Sequence, residues 1–508
     1  MKQTCQITGQ EFEITEMEQE FMKKMDLPLP LHSPKMREIM RMAFRNERNL
    51  FMRTCDATGE KILSIYSDRH PFPVYKYDYW MSDKWEVPSL DYDFDRPFFE
   101  QYQELSALAP RVNLFAPYNE NCDYVNGAEK NKNCYMHILS DRSEDCYYTH
   151  GVFVCQDCID CAYLYDCELC YESTDCRNCY HCRMCFLCDN SSECSFCFDM
   201  RGCHNCFFSN GLRNQQYCFN NQQLSKEEYE TKVKEIEFAS HKVFEKYRKR
   251  FINEILEKAE YKRMINTENS DGNFLINTKN CHRCYDVEDS EDCFWVRTGA
   301  NGLRDIHHCH AIVDGSELVY GNVSTTEAYN CHNVIGCWTS KDSFYGEFLQ
   351  GCRHCVGCIS QRYKKYCVLN KQYSPEEYEK ILSHIKEELG EYFGSPFPLE
   401  LAPFTFLESA YLDYHDISRE ELDEIGWEYG EIAAANTAGA HSVTEIPDQL
   451  SDFDSDDLQK VFLDESSNRP FKITPQELKL LQKIGAPIPR KHYEQRFQER
   501  VKYRKRAE

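Results

Sequence analysis

The sequence predicts a mainly β fold: two parallel β-solenoids with twelve-residue coils, each followed by a helix, flanked by small α+β modules. Three observations predict it. Nine cysteines, Cys122, Cys134, Cys146, Cys158, Cys170, Cys182, Cys194, Cys206 and Cys218, fall twelve residues apart, and a fixed period of this kind marks a repeat architecture. From 122 to 217 every third residue avoids charge and aromatic rings. Those 32 positions hold no Asp, Glu, Lys, Arg, Phe, Tyr or Trp, whereas the other 64 hold all 21 charged residues and all 15 aromatics. Nothing recurs at a helical period.

Residues 1–120 form the N-terminal α+β region. Residues 121–224 form the first solenoid, in which every third side chain points into a thin core and coils stack about 4.8 Å apart. Only small side chains fit there, which explains inward columns rich in Cys, Ser, Val, Ala and Thr. This geometry resembles the insect antifreeze β-helices, without their flat Thr array. Residues 225–266 form a long amphipathic helix with one apolar face on Tyr229, Val233, Ile236, Val243, Tyr247, Phe251 and Ile255. Residues 267–373 form a second, irregular solenoid, whose ruler runs Cys281, Cys293, Cys309, Val319, Cys331, Ser343, Cys355, Cys367 with two shifts. A helix follows at 374–392. Both solenoids end alike: Tyr217-Cys218 through Ser225-x-x-Glu228-Tyr229-Glu230 recurs at offset 149 as Tyr366-Cys367 through Ser374-x-x-Glu377-Tyr378-Glu379. In each copy the Ser and Glu make a capping box, with Pro375 at the first helical position of the second. An acidic segment at 393–465 and a basic module at 466–508 complete the chain.

The two ends repeat each other. Phe12, Ile14-Thr15, Glu18, Pro28, Pro30, Arg37, Arg41 and Arg45 match Phe471, Ile473-Thr474, Glu477, Pro487, Pro489, Arg496, Arg500 and Arg504 at offset 459. A related start recurs at Cys55-Asp56-Ala57-Thr58-Gly59. In such knuckle-plus-helix modules Cys-x2-Cys-Gly grips zinc. Here the motif reads Cys5-x2-Thr8-Gly9 and Cys55-x2-Thr58-Gly59, and the terminal copy has Asp464 and Ser467. One cysteine per knuckle, with only His32 near the first, falls short of four ligands, so the modules are expected to fold without metal.

With these landmarks, together with Arg96-Pro97-Phe98-Phe99-Glu100-Gln101, Pro403-Phe404, Ser409-Ala410 and Ile446-Pro447-Asp448, the chain resembles an uncharacterised family of cysteine-rich proteins known from genomes of uncultured bacteria. The resemblance covers most of the chain. It implies β-solenoids with zinc-ribbon-like ends, degenerate here because Thr8, Thr58, Lys76 and Tyr79 stand where zinc cysteines usually stand. It brings no activity with it.

Charge is uneven. Residues 400–465 hold 18 acids against 2 bases, and residues 466–508 hold 12 bases against 4 acids. A basic terminal helix either neutralises the acidic belt or touches RNA through Arg490, Lys491, Arg496, Arg500 and Arg504. No targeting segment and no 18-residue apolar run occurs, which predicts a cytoplasmic protein with no membrane contact. Thiols stay reduced in that compartment.

Three readings of the cysteines stand open. As packing, Cys is a small buried hydrophobe, and Val319 and Ser343 within the second array agree with that. As a metal site, stacked Cys-x2-Cys pairs at Cys155/Cys158, Cys167/Cys170, Cys179/Cys182 and Cys203/Cys206 offer thiolates to zinc or copper. As disulfides, Cys170–Cys176 and Cys182–Cys188 are the candidates. Ile306-His307-His308-Cys309-His310 is a separate metal candidate. No P-loop, Gly-x-Ser-x-Gly or dinucleotide fingerprint occurs. The chain therefore reads as a non-enzymatic structural or interaction protein with a protein partner, the alternative being a thiolate metal-binding protein. Tyr147, Tyr148, Tyr163, Tyr165, Tyr171, Phe186, Phe196, Phe198, Phe207 and Phe208 are candidates for the partner surface or for contacts with the long helix.

Overall fold

Every third backbone unit from 121 to 220 takes a left-handed conformation, with φ between 46° and 69° at all 34 positions. Such angles are uncommon for residues other than Gly, and here they recur one residue before each inward side chain. Half of these positions, 17 of 34, are Asn, Asp or Gly, the residues that tolerate this region best. The turn at every third residue keeps the strands short: Ala162–Tyr165, Thr174–Arg177, Ser192–Ser195 and His204–Phe207 are four residues each.

These short strands pair in parallel at an offset of twelve. Cys194 faces Cys206, which faces Cys218, and Leu164 faces both Val152 and Cys176. Isolated parallel bridges at the same offset, such as Glu120 to Lys132 and Tyr180 to Ser192, link the rungs between strands. The ladder of inward cysteines thus has the register that the period requires. Side-chain ladders run outside it as well: Asn121 donates to Asn133 at 2.8 Å and Asn178 to Asn190 at 3.0 Å.

The computed structural model describes residues 1–294, 296–300, 310–313, 321, 323–326, 332–338, 340–431 and 435–505. Helix and strand each take about 27% of the chain. The expectation of a mainly β protein is therefore corrected: the chain mixes helix with several parallel sheets, because most of each rung is turn rather than strand. Among the described residues no helix is long and apolar enough to cross a membrane.

Two compact units form, and neither is continuous in sequence. One combines Met1–Leu114 with Lys262–Glu431, and the other combines Phe115–Tyr261 with Ile432–Ala507. In the first unit an 11-stranded sheet carries the second array. Its offsets are eleven from Met264 to Leu275, twelve from Gly272 to Cys284, and thirteen from Arg297 to His310 and again to Val323. The two thirteen-residue steps match the 26 residues between positions 293 and 319 of the cysteine ruler, but not its steps of 16 and 10 at position 309. Cys309, Val319 and Cys331, and the side chains of His307, His308 and His310, lie outside the described residues. Helices Phe98–Leu108 and Pro375–Leu389 cover this array, with Phe98, Tyr102, Tyr378 and Ile385 in one core with Tyr345, Val356 and Val368.

In the second unit the predicted long helix is two. Lys226–Lys234 starts at the capping box of Ser225 and Glu228. His241–Phe251 starts afresh at Ser240, whose hydroxyl caps Val243 and bonds Asp448 at 2.7 Å, and runs into a π turn over Ile252–Leu256. The apolar face continues across the break, which is why the pattern reads as one helix.

The terminal repeat is structural. Gln3 faces Phe12 and Thr4 faces Glu11 in the N-terminal hairpin, and Phe462 faces Phe471 and Leu463 faces Pro470 in the C-terminal one, each pair shifted by 459. Thr15 caps Glu18 and Thr474 caps Glu477. The middle hairpin has the same register again, with Arg53 facing Ile62 and Thr54 facing Lys61.

A thiol ladder and a buried arginine seam as candidate functional sites

The eight candidate metal-binding cysteines, Cys155, Cys158, Cys167, Cys170, Cys179, Cys182, Cys203 and Cys206, all lie in one buried cluster inside the first array. Each sulfur sits 3.2–3.6 Å from the carbonyl two residues before it in its own rung. Cys158, Cys167, Cys170, Cys179 and Cys182 also lie 3.3–3.9 Å from the carbonyl nine residues on, in the next rung. An S–H group is a weak donor, and these are the acceptors that face it.

Serines in the same columns bond in the same way. Ser143 and Ser173 donate to the carbonyls of Asp141 and Tyr171, and to those of Val152 and Cys182. On their other side they accept the amides of Cys155 and Cys185, twelve residues on, at 3.2 and 3.3 Å. Cys155 likewise accepts the Cys167 amide at 3.3 Å. Cys and Ser therefore both bridge a carbonyl of one rung to an amide of the next, where an unpaired amide would be costly.

Carbonyl oxygens around a sulfur disfavour a thiolate. Burial pushes the Cys158, Cys176 and Cys185 thiols well up. Cys182 moves the other way because Cys170, Cys179, Cys185 and Cys194 donate to it. Cys155 and Cys206 do so too, the first against the push of burial with Cys158 and Cys167 donating to it, and the second with Cys194 donating. Among the described residues no three of these sulfurs lie within 4.8 Å of one another. Rungs about 4.8 Å apart make a grid whose diagonals are longer still, whereas a zinc tetrad needs sulfurs roughly 3.8 Å apart. The structure thus brings the eight together as rows rather than as a tetrad. All 27 described cysteines are unbridged, Cys170, Cys176, Cys182 and Cys188 among them.

Most aromatics proposed for a partner surface are covered by the unit's own helices. Tyr171 packs on Phe244 at 5.4 Å, Phe186 on Phe251 at 6.1 Å, Phe196 on Phe244 at 5.1 Å and Phe207 on Tyr247 at 5.0 Å. Tyr147, Tyr148, Phe198 and Phe208 are buried too, whereas Tyr165 is 46% exposed, with Phe153 and Tyr180 also exposed.

The basic C-terminal helix, Tyr493–Lys505, turns its arginines inward, which corrects the reading of an open RNA-binding face. Arg496, Arg500 and Arg504 are 6%, 2% and 3% exposed. Arg496 pairs with Asp160 and lies 3.9 Å from Glu477, Arg500 lies 3.3 Å from Asp160, and Arg504 pairs with Asp175 at 2.6 Å. Arg504 also covers the Tyr163 ring at 3.8 Å and Arg496 the Tyr148 ring at 4.8 Å. Arg490 donates to the carbonyls of Ile446 and Pro447, and Lys491 pairs with Glu499 at 2.5 Å. All five cations are engaged within the unit. Asp160 and Asp175 occupy left-handed positions of the array, so the same turns that shape the rungs present the carboxylates.

Glu477 is fully enclosed in this seam, where it accepts the Tyr148 hydroxyl at 3.1 Å. Burial, against the pull of Arg496, raises its carboxyl to about 7. A folded value above the unfolded one means the folded state holds the extra proton between about pH 4.5 and 7, so this group's contribution falls as pH rises through that window. Relative to Glu477→Gln, the parent is expected to lose about 3 kcal/mol on going from pH 4.5 to 7. Urea titrations of both proteins across that range check it, and parallel curves would exclude it.

The three knuckles share a further set of contacts. Lys76 donates its backbone amide to Cys55 Sγ at 3.4 Å, and His492 donates its own to Asp464 Oδ2 at 2.9 Å. Ser33, the position matching His492, donates its amide to Cys5. The Thr8 and Thr58 hydroxyls help to lower the Cys5 and Cys55 thiols, whereas at Asp464 the hydroxyl that donates is that of Ser466, at 2.6 Å. The left-handed residue is Gly9, Gly59 or Asn468. The four positions that would hold zinc are then Cys5, Thr8, Ser33 and Met36 in the first copy and Cys55, Thr58, Lys76 and Tyr79 in the second. In the third they are Asp464, Ser467, His492 and Gln495. No copy offers a zinc donor set. His32 is buried against Tyr392 with neither ring nitrogen hydrogen-bonded, and burial holds its pKa at about 4.

No family model matches the chain, and no curated protein matches it.

Proposed function

We propose that the chain is a non-enzymatic scaffold built on two cysteine-lined β-solenoids, each a stack of hydrogen-bonded rungs covered by helices. The observation that supports this most is the common bonding pattern of Cys and Ser in the inward columns. A column that accepts either residue, with the same carbonyl and amide partners, is chosen for shape and donor geometry rather than for metal affinity. Rigid repeat arrays present extended faces to partners, and the outward aromatics left exposed on the arrays include Tyr124, Phe153, Tyr165, Tyr180 and Tyr363.

The test compares one quadruple variant in two forms. Replacing Cys167, Cys170, Cys179 and Cys182 by Ser keeps the bridging donors, and replacing them by Ala removes them. Reduced protein of each form is expected to melt in the order parent, Ser variant, Ala variant, because the Ala form takes from buried carbonyls the donor that each of these four sulfurs turns to them, and a lost hydrogen bond costs about 0.5–1.5 kcal/mol. Zinc and copper(I) titrations of the parent are expected to show no stoichiometric uptake. Stoichiometric uptake that both variants abolish would support the metal-binding reading instead.

A further inference from the structure

We infer that the three knuckles are metal-free centres in which a single hydrogen-bond acceptor, the sulfur of Cys5 or Cys55 or the carboxylate of Asp464, takes the place that zinc has in an intact knuckle. A zinc knuckle ties two chain segments together through four ligands. Here the first segment supplies the acceptor and a hydroxyl, and the second supplies one backbone amide. The geometry is the same three times: hairpin register, left-handed residue, hydroxyl three residues after the acceptor, and an incoming amide from Ser33, Lys76 or His492.

The third copy identifies the chemistry. Asp464 stands at the cysteine position and takes the Ser466 amide and hydroxyl on Oδ1 and the His492 amide on Oδ2. A carboxylate is an acceptor only. The donors around Cys5 and Cys55 are arranged alike, so these sulfurs also act as acceptors and carry anionic character. This is opposite to the thiols of the arrays, which face carbonyls. The electrostatics agree: burial pushes the Cys5 and Cys55 thiols up, but the threonine hydroxyl and the surrounding amides outweigh it and hold both below the ordinary value. Chemically, then, the knuckle sulfurs are surrounded by donors, whereas the sulfurs of the first array chiefly turn their S–H groups to carbonyls.

The test exchanges the centres in the full chain. Cys55→Asp and Asp464→Cys are expected to keep the parent's melting midpoint, whereas Cys55→Ala and Asp464→Ala lower it by several degrees. The parent's midpoint is expected to be unmoved by EDTA or by added zinc. The difference in ultraviolet thiolate absorbance between the parent and the Cys5→Asp, Cys55→Asp double variant is expected to show two thiolates per chain, titrating out below the ordinary thiol range. Zinc bound stoichiometrically by the parent and lost in Cys55→Asp would overturn the inference. So would a Cys55→Asp protein that unfolds while Cys55→Ala matches the parent.

Discussion

Replacing Asp160 by Asn is expected to destabilise its unit by about 3–5 kcal/mol, the cost of leaving buried charge without its counter-ion. Asp160 is wholly buried and faces both Arg496 and Arg500. The next carboxylate, Glu477, lies 3.9 Å from Arg496 and is itself the group that burial holds protonated near neutrality. Arg496 would be left with this weakened acceptor, and Arg500 would lose the carboxylate that it faces. Replacing Asp160, Arg496 and Arg500 together by Leu or Met is expected to recover most of the loss, because well-packed apolar residues often do as well as a buried ion cluster. Urea unfolding of the single and triple variants measures both. A loss under about 1 kcal/mol for Asp160→Asn would show that the seam is solvated.

Replacing Gly272 by Ala is expected to be as damaging, for a steric reason. Gly272 has φ of 130° and pairs with Cys284 in the next rung. A Cβ there would stand 1.8 Å from the Cys284 carbonyl oxygen and 2.9 Å from its nitrogen, so it meets backbone that cannot rotate aside. The rungs must separate, which places the cost at about 4 kcal/mol or more. Gly426 provides the control. It closes the helix Arg419–Ile425 in a left-handed conformation with open space around it, so Gly426→Ala is expected to cost about 1 kcal/mol. Thermal melts of the two variants should differ widely, and equal melts would place Gly272 in a looser rung.

The inward columns were legible in the sequence because a core this thin imposes one rule on every rung: small, uncharged and not aromatic. The left-handed column left only a partial mark: Asn, Asp or Gly stands at half of the positions one residue before the inward ones. Tyr148, Leu169, Met184 and Phe196 occupy the same column and disguise it. What sequence cannot show is which outward face is covered. Tyr171 and Phe196 look like a surface until Phe244 lies on them. Likewise Arg496, Arg500 and Arg504 recur every four residues as a basic stripe, and only the fold sets them against Asp160 and Asp175, more than three hundred positions away. The break at Ser240 was hidden for the same reason, since Asp448 helps to make it. That Cys5 and Cys55 lack a second cysteine three residues on can be read from the sequence. The amides that reach Cys5, Cys55 and Asp464 belong to the backbone and leave no mark on the sequence.

If the array cysteines are neutral thiols whose S–H groups bond carbonyls of adjacent rungs, their S–H stretch must carry the signature. Infrared spectroscopy of reduced, anaerobically purified protein measures it most directly. The expected result is a strong band shifted to low frequency by hydrogen bonding. It should be unchanged when zinc or copper(I) is added, and should fall in proportion when Cys167, Cys170, Cys179 and Cys182 become Ser. A band that is missing at neutral pH, or that vanishes as metal is titrated in, would mean that the ladder holds thiolates and that the protein is built to bind metal.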